Sequence, residues 1–427
     1  LISQAEFSIF LTMKLLVVGK GGREHALLTA FKESKPNIEL YAFPGSDAIA
    51  EIATCVKVDG LDSLISWMVS NEIDLCVAGE ESYLVTGEGL ANLCEKNEIP
   101  CWGPHFQSAQ LEASKEFAKE FMIKHEIPTG GAAAGSSIEE AQEAIAGKYP
   151  TVLKFDGLAA GKGVAVCMDK SHADEFLNEV FTEKRFGEGR LLVEEFLTGP
   201  EVSIFAAVCD DDYQIFTPAR DYKRIGEGDE GPNTGGMGAV ASRQLIDETT
   251  LNLIDETIVK KTVAGLRKDN LPYRGFIYFG LMLTPEGPKI IEYNCRFGDP
   301  ECQAVMPIVK GDLAEYCLSA AKGNLAENLI SFDDGWSVCL VLASAGYPES
   351  SRNGDVIKGM DTVENGRVYQ AGTKLVNGEW QTNGGRVLAV VAGGESRLDA
   401  VKNAYVELDK VSFDGAQRRN DIGTFNF

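Results

Sequence analysis

The chain has 427 residues, 44% hydrophobic and 24% charged, which are ordinary proportions for a globular protein too long for one compact core, so two to four structural units are expected. Forty Lys and Arg against 64 Asp and Glu give a net charge of −24, which argues against nucleic acid or an anionic membrane surface as a partner, and no apolar run approaches the ~20 residues of a membrane span. Ten cysteines without a C-x-x-C pair indicate neither a zinc site nor a disulfide framework, and they fit a reducing cytoplasm.

Residues 1–12 lack Met and a basic segment and are expected to be a leader or cloning remnant, with Met13 the natural start. From Met13, the strand-like runs KLLVVG, IELYAF, CVKVDG and IDLCVAG alternate with helical patterns over His25–Phe31, Leu64–Val69 and Gly89–Lys96. That alternation reads as an α/β unit with a parallel sheet. The turn after the first strand, GKGGREH, carries Gly19, Gly21 and Gly22, but Glu24 stands at the last glycine of G-x-G-x-x-G and disfavours a dinucleotide fold. Such a turn either binds phosphate through helix N-terminal N–H groups, with Arg23 assisting, or is simply tight.

Ser108–His125 reads as one amphipathic helix with Leu111, Phe117, Ala118, Phe121 and Met122 on its apolar stripe, stopped by Pro128. The small residues of TGGAAAGSS, from Thr129 to Ser137, suit a hinge or linker. Further helices are expected near Ala173–Phe181, over Thr249–Asp269 and at Ala400–Leu408, with strands in LLVEEFLTGPEVSIFAAV, GFIYFGLML, WSVCLVLAS and GGRVLAVVAG.

Two segments carry chemistry. Thr151–Met168, TVLKFDGLAAGKGVAVCM, places two β-rich runs around a loop containing Gly157, Gly161, Lys162 and Gly163. It departs from Walker A, because Gly163 replaces the hydroxyl and a strand follows. The geometry is a hairpin whose backbone N–H groups can close over phosphates, with Lys154 on the strand beneath in reach of them. A flexible hairpin with a solvated lysine fits the same residues. In KIIEYNCRFGDPE, Lys289–Glu301, period-two alternation puts Glu292, Asn294 and Arg296 on one face and Ile291, Tyr293 and Cys295 on the other. Two oxygen donors beside a guanidinium suit a Mg²⁺–phosphate site, or a polar edge strand that ends in a turn.

Taken together, GKGGREHALL, QLEASKEFAKEFM, KFDGLAAGKGV, VEEFLTGPEVS, DYKRIGEGDEGPNTGGMGA, IIEYNCRFGDPE and TNGGRVLAV resemble, in order, the glycinamide ribonucleotide synthetase (phosphoribosylamine–glycine ligase) family of ATP-grasp enzymes. The likeness runs from Met13 to Gly423. It implies an α/β multidomain fold: an N-terminal parallel α/β domain at 13–112, an ATP-grasp domain at 113–328 with a mobile lid at about 134–202, and a β-rich C-terminal domain at 329–427. It implies ATP-dependent joining of glycine to 5-phosphoribosylamine through glycyl phosphate, in the second step of de novo purine synthesis. The enzyme is then expected to be cytoplasmic and monomeric, with ATP and Mg²⁺ or Mn²⁺ as cofactors and no nucleic-acid or membrane partner.

Carried over by motif, Lys115, Lys154, Gly157, Gly161, Lys162 and Gly163 meet the phosphates of ATP. Glu194, Glu195 and Leu197 meet adenine, and Glu201 meets ribose. Glu292 and Asn294 hold the metal. Gly21, Gly22, Arg23, Glu24, Asp221, Asn233, Thr234, Gly236 and Arg296 line the glycine and sugar-phosphate site, and Lys154, Lys223, Asn233 and Arg296 are the expected catalytic group. The sequence departs from the family pattern at Arg220, Tyr222, Lys20, Ser46 and Glu80, and GFIYFGLML offers no further carboxylate for a metal. Two other readings stay open: another acyl-phosphate-forming ATP-grasp ligase, such as a carboxyaminoimidazole synthetase or a biotin-carboxylase-like enzyme, and a nucleotide-binding regulatory protein without turnover.

Overall fold

A computed structural model describes residues 12–157 and 163–424. Strand β1 (Lys14–Gly19) is buried on both faces, as its unbroken Leu and Val run requires of a parallel strand. With β2 (Glu39–Pro44), β3 (Thr54–Cys55), β4 (Leu75–Ala78) and β5 (Cys101–Trp102) it forms the expected parallel sheet, in the order β3-β2-β1-β4-β5. Helices α1 (Gly22–Ser34), α2 (Gly60–Ser70) and α3 (Leu90–Lys96) connect these strands. The run CVKVDG pairs only at its start, because β3 is the sheet edge and Lys57 turns to solvent.

Helix α1 also docks the far end of the chain. His25 accepts a hydrogen bond at Nδ1 from the Gln370 N–H, 3.0 Å away, and burial lowers its imidazole to about 4. The neutral ring is therefore the folded form, so its contribution is complete above pH 6.5 and is lost as pH falls through about 4. We expect about 3 kcal/mol of stability to disappear across that window. Denaturant unfolding at stepped pH measures it; His25→Asn, which keeps an acceptor, should flatten the profile, and an unchanged profile would clear His25 of the role.

The segment expected as one helix over Ser108–His125 is broken into α4 (Gln110–Ala113) and α5 (Lys115–Lys124). Ser114 leaves helical geometry and caps α5, accepting at Oγ from Phe117 N at 3.1 Å. The expected hinge over Thr129–Ser137 is in part a strand, β6 (Ala132–Gly135). Its small residues serve close packing: a Cβ on Gly135 would lie 2.9 Å from the backbone of Ala141 in the next helix. Strand β6 joins β7 (Thr151–Phe155), β8 (Val164–Cys167) and β9 (Leu191–Glu195) in an antiparallel sheet ordered β6-β9-β7-β8. This sheet, at the position of the expected lid, has its own core, built from Ala141, Ile145, Leu153, Phe155, Leu177 and Leu191 among others.

The rest of the chain is organised on one nine-stranded sheet. Strands β10 (Glu201–Cys209), β11 (Asp212–Ile215) and β12 (Ala219–Asp221) precede the hairpin β13 (Arg224–Gly226) and β14 (Glu230–Asn233), and then β15 (Gly238–Ala241). A helical segment from Glu248 to Lys268, with one π turn at Asp255–Val259, leads to β16 (Arg274–Thr284) and β17 (Gly287–Asn294). The pair β18 (Val309–Gly311) and β19 (Ile330–Phe332) precedes β20 (Trp336–Ala343), β21 (Arg367–Gln370), the hairpin β22 (Thr373–Val376) and β23 (Glu379–Thr382), and β24 (Arg386–Gly394). The sheet runs β17-β16-β10-β12-β15-β20-β24-β21, with β11 on β10, so the contact of β15 with β20 fuses the central and β-rich C-terminal regions. Among the described residues no helix is long and apolar enough to cross a membrane.

The alternation expected along β17 is reset by a bulge. Gly280 pairs with Glu292 but Leu281 pairs with Ile290, leaving Ile291 unpaired. Ile290, not Ile291, therefore shares the buried face with Tyr293 and Cys295. Glu292 and Asn294 stay on the open side, at the sheet edge, facing the lid.

Candidate active site

The site lies between the lid and the edge formed by β16 and β17, and Lys154 ties the two together. Its Nζ donates to the Ile291 carbonyl at 2.9 Å and pairs with Glu194 Oε2 at 2.7 Å. Lys119 reaches the other oxygen of Glu194 at 3.2 Å and donates to Thr129 Oγ1 and the Gly130 carbonyl at 2.7 and 3.0 Å. All three side chains are buried. Burial opposes charge on Glu194, yet Lys154 and Lys119 outweigh it and hold the carboxyl below its usual range. Glu195 Oε2 accepts from Gly131 N at 3.1 Å, and Leu197 follows in the loop toward β10.

The lid strand is also clamped to helix α5. Asp156 Oδ1 accepts from Lys115 N and Glu116 N at 2.6 and 3.2 Å, satisfying N–H groups that a helix start leaves unpaired. Lys115 Nζ donates to the Gly157 carbonyl at 2.8 Å, and burial lowers that ammonium while Glu292 works against the change. Gly163 accepts from Phe155 N at 2.7 Å as the hairpin closes. Gly161 and Lys162 lie outside the described residues.

Below the lid, carboxylates outnumber cations. Lys223 lies 3.2 Å from Glu201 and 3.5 Å from Glu292. Asp221 and Glu301 stand in the same field, and Glu301 is buried, accepting from Ser203 Oγ at 3.1 Å. Burial, reinforced by the neighbouring carboxylates against Lys223, raises Asp221. Burial raises Glu301 as well. Glu292 goes the other way: burial is overcome by Lys223, Lys154, Lys115 and Arg296, which lower it. Lys223 thus sits among four carboxyl groups, of which burial favours the neutral form at Asp221 and Glu301 while the surrounding cations favour the ionised form at Glu292. All the donors are hard oxygens, so the set fits Mg²⁺ or Mn²⁺ at Glu292 and Asn294.

On the side facing the N-terminal sheet, two guanidiniums share an acidic frame. Arg296 pairs with Glu112 Oε1 at 2.7 Å and Glu81 Oε2 at 3.1 Å, and Arg23 pairs with Glu24 at 2.6 Å and Glu81 at 3.6 Å. Burial would raise Glu81, but Arg296 and Arg23 bring it down to about 2. Burial prevails at Glu112, pushed up to about 7, because its one close guanidinium is shared with Glu81. The structure turns Glu24 inward: its Oε2 accepts from Gly21 N at 2.7 Å, and its stem packs where a Cβ on Gly19 or Gly79 would lie 2.4 or 2.7 Å away. Gly21 and Gly22 thus begin a helix whose first turn is braced by a glutamate.

The loop after β14 completes the wall. Thr234 Oγ1 donates to the Lys223 carbonyl at 2.8 Å and accepts from Gly236 N at 2.9 Å, fixing Asn233–Gly236 beside Lys223. Gly236 has φ +109, and a Cβ there would lie 2.4 Å from Pro300 Cδ. The C-terminal region reaches in through Arg386, which pairs with Asp299 at 2.9 Å, and through Tyr347, whose hydroxyl accepts from Gly235 N at 2.9 Å.

Reading residues in sequence missed Lys119, Glu81, Glu112, Glu301 and Arg386. Lysine and glutamate on a helix are usually solvated, and only the tertiary pairing reverses that. The departures at 220 and 222 are explained. Asp221 and Lys223 face the cleft, while Tyr222 turns away, its hydroxyl accepting from Gly423 N at 2.8 Å and its ring lying beneath Arg220 and Arg419 at 5.5 and 5.0 Å. Glu80 accepts from Ser82 Oγ at 2.9 Å, and Lys20 is exposed.

A glycine-containing hairpin lid, a lysine on its inner strand and an acid–amide pair on the facing sheet edge define an ATP-grasp enzyme. Family profiles match three spans: the N domain of phosphoribosylglycinamide synthetase at 13–112, its ATP-grasp (A) domain at 113–302 and its C domain at 337–425. The phosphoribosylamine–glycine ligase of Caldanaerobacter subterraneus subsp. tengcongensis is 42% identical over 96% of this chain and 99% of its own. The trifunctional purine biosynthetic protein adenosine-3 of Drosophila melanogaster is 38% identical over 96% of this chain and 31% of its own. The crystal structure of the ligase from Thermotoga maritima superposes with TM-score 0.83 at 32% identity, covering 96% of this chain and 100% of that one. The chain belongs to the phosphoribosylamine–glycine ligase family. The biotin carboxylase domain of a Hydrogenobacter thermophilus 2-oxoglutarate carboxylase, solved with MgADP and bicarbonate, shares the fold at TM-score 0.71 and 18% identity, over 95% of this chain and 91% of that one.

Proposed function

We propose that this enzyme joins glycine to 5-phosphoribosylamine at the expense of ATP, giving glycinamide ribonucleotide, ADP and phosphate, the second step of de novo purine synthesis. The observation that carries the reading is the contact of Lys154 with both Glu194 and the Ile291 carbonyl, which brings the lid and the Glu292–Asn294 edge into one cleft. In the proposed sequence a glycine carboxylate oxygen attacks the γ-phosphorus and ADP leaves. The amine nitrogen then attacks the acyl carbon of glycyl phosphate, breaking its bond to phosphate and releasing phosphate and a proton. Carboxylate oxygen is a poor leaving group and phosphate a good one, so the order follows from the chemistry.

Lys115 and Lys154, with Gly157, Gly161, Lys162 and Gly163, bind the phosphates and exclude water from the acyl phosphate. Glu194, Glu195 and Leu197 receive adenine, and Glu201 the ribose. Glu292 and Asn294 are the residues that would hold Mg²⁺ or Mn²⁺, which when bound neutralises charge on the transferring phosphates. Arg296, Arg23, Asp221, Asn233, Thr234 and Gly236 line the glycine and sugar-phosphate end, Gly21, Gly22 and Glu24 support it, and Lys223 stabilises the acidic floor. We take the enzyme to be a monomer in the cytoplasm; its ten free thiols support a reducing compartment.

The competing carboxylase-like reading predicts a different acceptor. We expect ATP-dependent phosphate release with glycine plus freshly made phosphoribosylamine, at least ~10²-fold above background, an acceleration worth about 3 kcal/mol. Release with bicarbonate but not with glycine would overturn the ligase reading while leaving the fold intact.

A further inference from the structure

Sequence spacing indicates no zinc site, yet Cys76, Cys94 and Cys101 converge: their sulfurs all lie within 4.8 Å of one another. Parallel strand pairing opposes Cys76 on β4 to Cys101 on β5. Cys94 arrives from helix α3, and the turn that follows is held by its carbonyl, which accepts from Asn97 N and Ile99 N, each at 3.0 Å. Cys76 and Cys94 are fully buried, while Cys101 borders a cavity of about 350 Å³ also lined by His105, Glu95, Gly103, Tyr273 and Arg274. His105, whose Nε2 lies 3.5 Å from Glu95, lines the cavity without joining the sulfur cluster. Among the described residues, no other set of Cys, His, Asp and Glu converges in this way.

We propose that Cys76, Cys94 and Cys101 form a three-thiolate binding site for a soft d¹⁰ cation, Zn²⁺ or Cu⁺, with the cavity beside Cys101 as entry path. Three thiolates suit these ions and exclude Mg²⁺ and Ca²⁺. Sulfurs 2.3 Å from a tetrahedral ion sit about 3.8 Å apart, so the trio needs only small adjustment. Binding displaces the thiol protons, so affinity should rise with pH. An ion there would staple two strands and a helix where the N-terminal sheet meets β16. The bland alternative is three small apolar side chains filling a core. That reading accounts for the burial of Cys76 and Cys94 but not for three sulfurs within 4.8 Å of one another beside a cavity that reaches Cys101.

The test uses the full chain, reduced and stripped with chelator, titrated with Co²⁺. Sulfur-to-cobalt charge transfer reports thiolate ligands and is silent at the oxygen site around Glu292. We expect one such cobalt per chain, displaced by Zn²⁺ or by Cu⁺, the ion effective at lower concentration being the one the site prefers. Cys94→Ala and Cys101→Ala should each weaken binding by more than ~10²-fold, since losing an outer-shell partner alone costs 10–100-fold. Cys167→Ala, in the lid core, should leave it unchanged. Absence of the band, its persistence in both Cys94→Ala and Cys101→Ala, or failure of both ions to displace cobalt would overturn the site. If a variant does not fold, X-ray absorption on the zinc-loaded unmodified chain decides: sulfur neighbours support the proposal, and oxygen and nitrogen alone overturn it.

Discussion

Glu292→Ala lowers turnover by at least ~10²-fold and leaves the unfolding midpoint nearly unchanged. A bound metal supplies several kcal/mol of charge stabilisation to phosphoryl transfer, and each 1.36 kcal/mol is tenfold in rate. Removing a ligand forfeits about 3 kcal/mol of that. The folded state loses little, because the Glu292 side chain is 41% exposed and its partner Lys223 keeps Glu201 at 3.2 Å. Steady-state kinetics across a Mg²⁺ titration, beside denaturant unfolding, separate the two quantities. Near-normal turnover at ordinary Mg²⁺ would remove Glu292 from the metal site. Equal losses of turnover and stability would make it a structural acid.

The parts of this site that were legible in sequence are those where local pattern and chemistry coincide. Glu292 and Asn294 can be placed on one face because alternation in a strand is set by the pleat, whereas Lys154 reads equally as a phosphate ligand or a solvated lysine until β17 is placed opposite it. Even there the pattern failed by one residue. The bulge at Ile291 depends on which residues β16 offers opposite it, and a single strand carries no trace of its partner's register. The same blindness hid Lys119. On an amphipathic helix it reads as solvated; only the meeting of α5 with β9 buries it against Glu194.

Small residues misled in the opposite direction. The run TGGAAAGSS looks like a linker because nothing in it demands burial, yet β6 uses that smallness to lie against a helix. Ser114 caps α5 in the structure, whereas the apolar stripe on both sides of it reads as one continuous helix. Cysteine spacing does not show the convergence of Cys76, Cys94 and Cys101, because it is made by the pairing of β4 with β5 and the approach of α3, with no short motif to mark it.

Lys154→Met should reduce kcat/KM for ATP by ~10²–10³-fold, the range seen when one preorganised donor to a reacting charge is removed. It should also cost stability, because Glu194 is buried and loses its 2.7 Å partner. Breaking a buried pair typically costs 3–5 kcal/mol; Lys119 remains on the other oxygen, so we expect about 2–3 kcal/mol here. The double variant Lys154→Met/Glu194→Gln removes the stranded charge along with the ammonium. Its stability should return to within about 1 kcal/mol of the unmodified chain, because a neutral amide can still accept from Lys119. Its turnover should not return, since the phosphates still lack their lysine. Recovery of both quantities in the double variant would make Lys154 a counter-ion for Glu194 and nothing more, and the phosphate contact would have to come from Lys115 and the lid glycines alone.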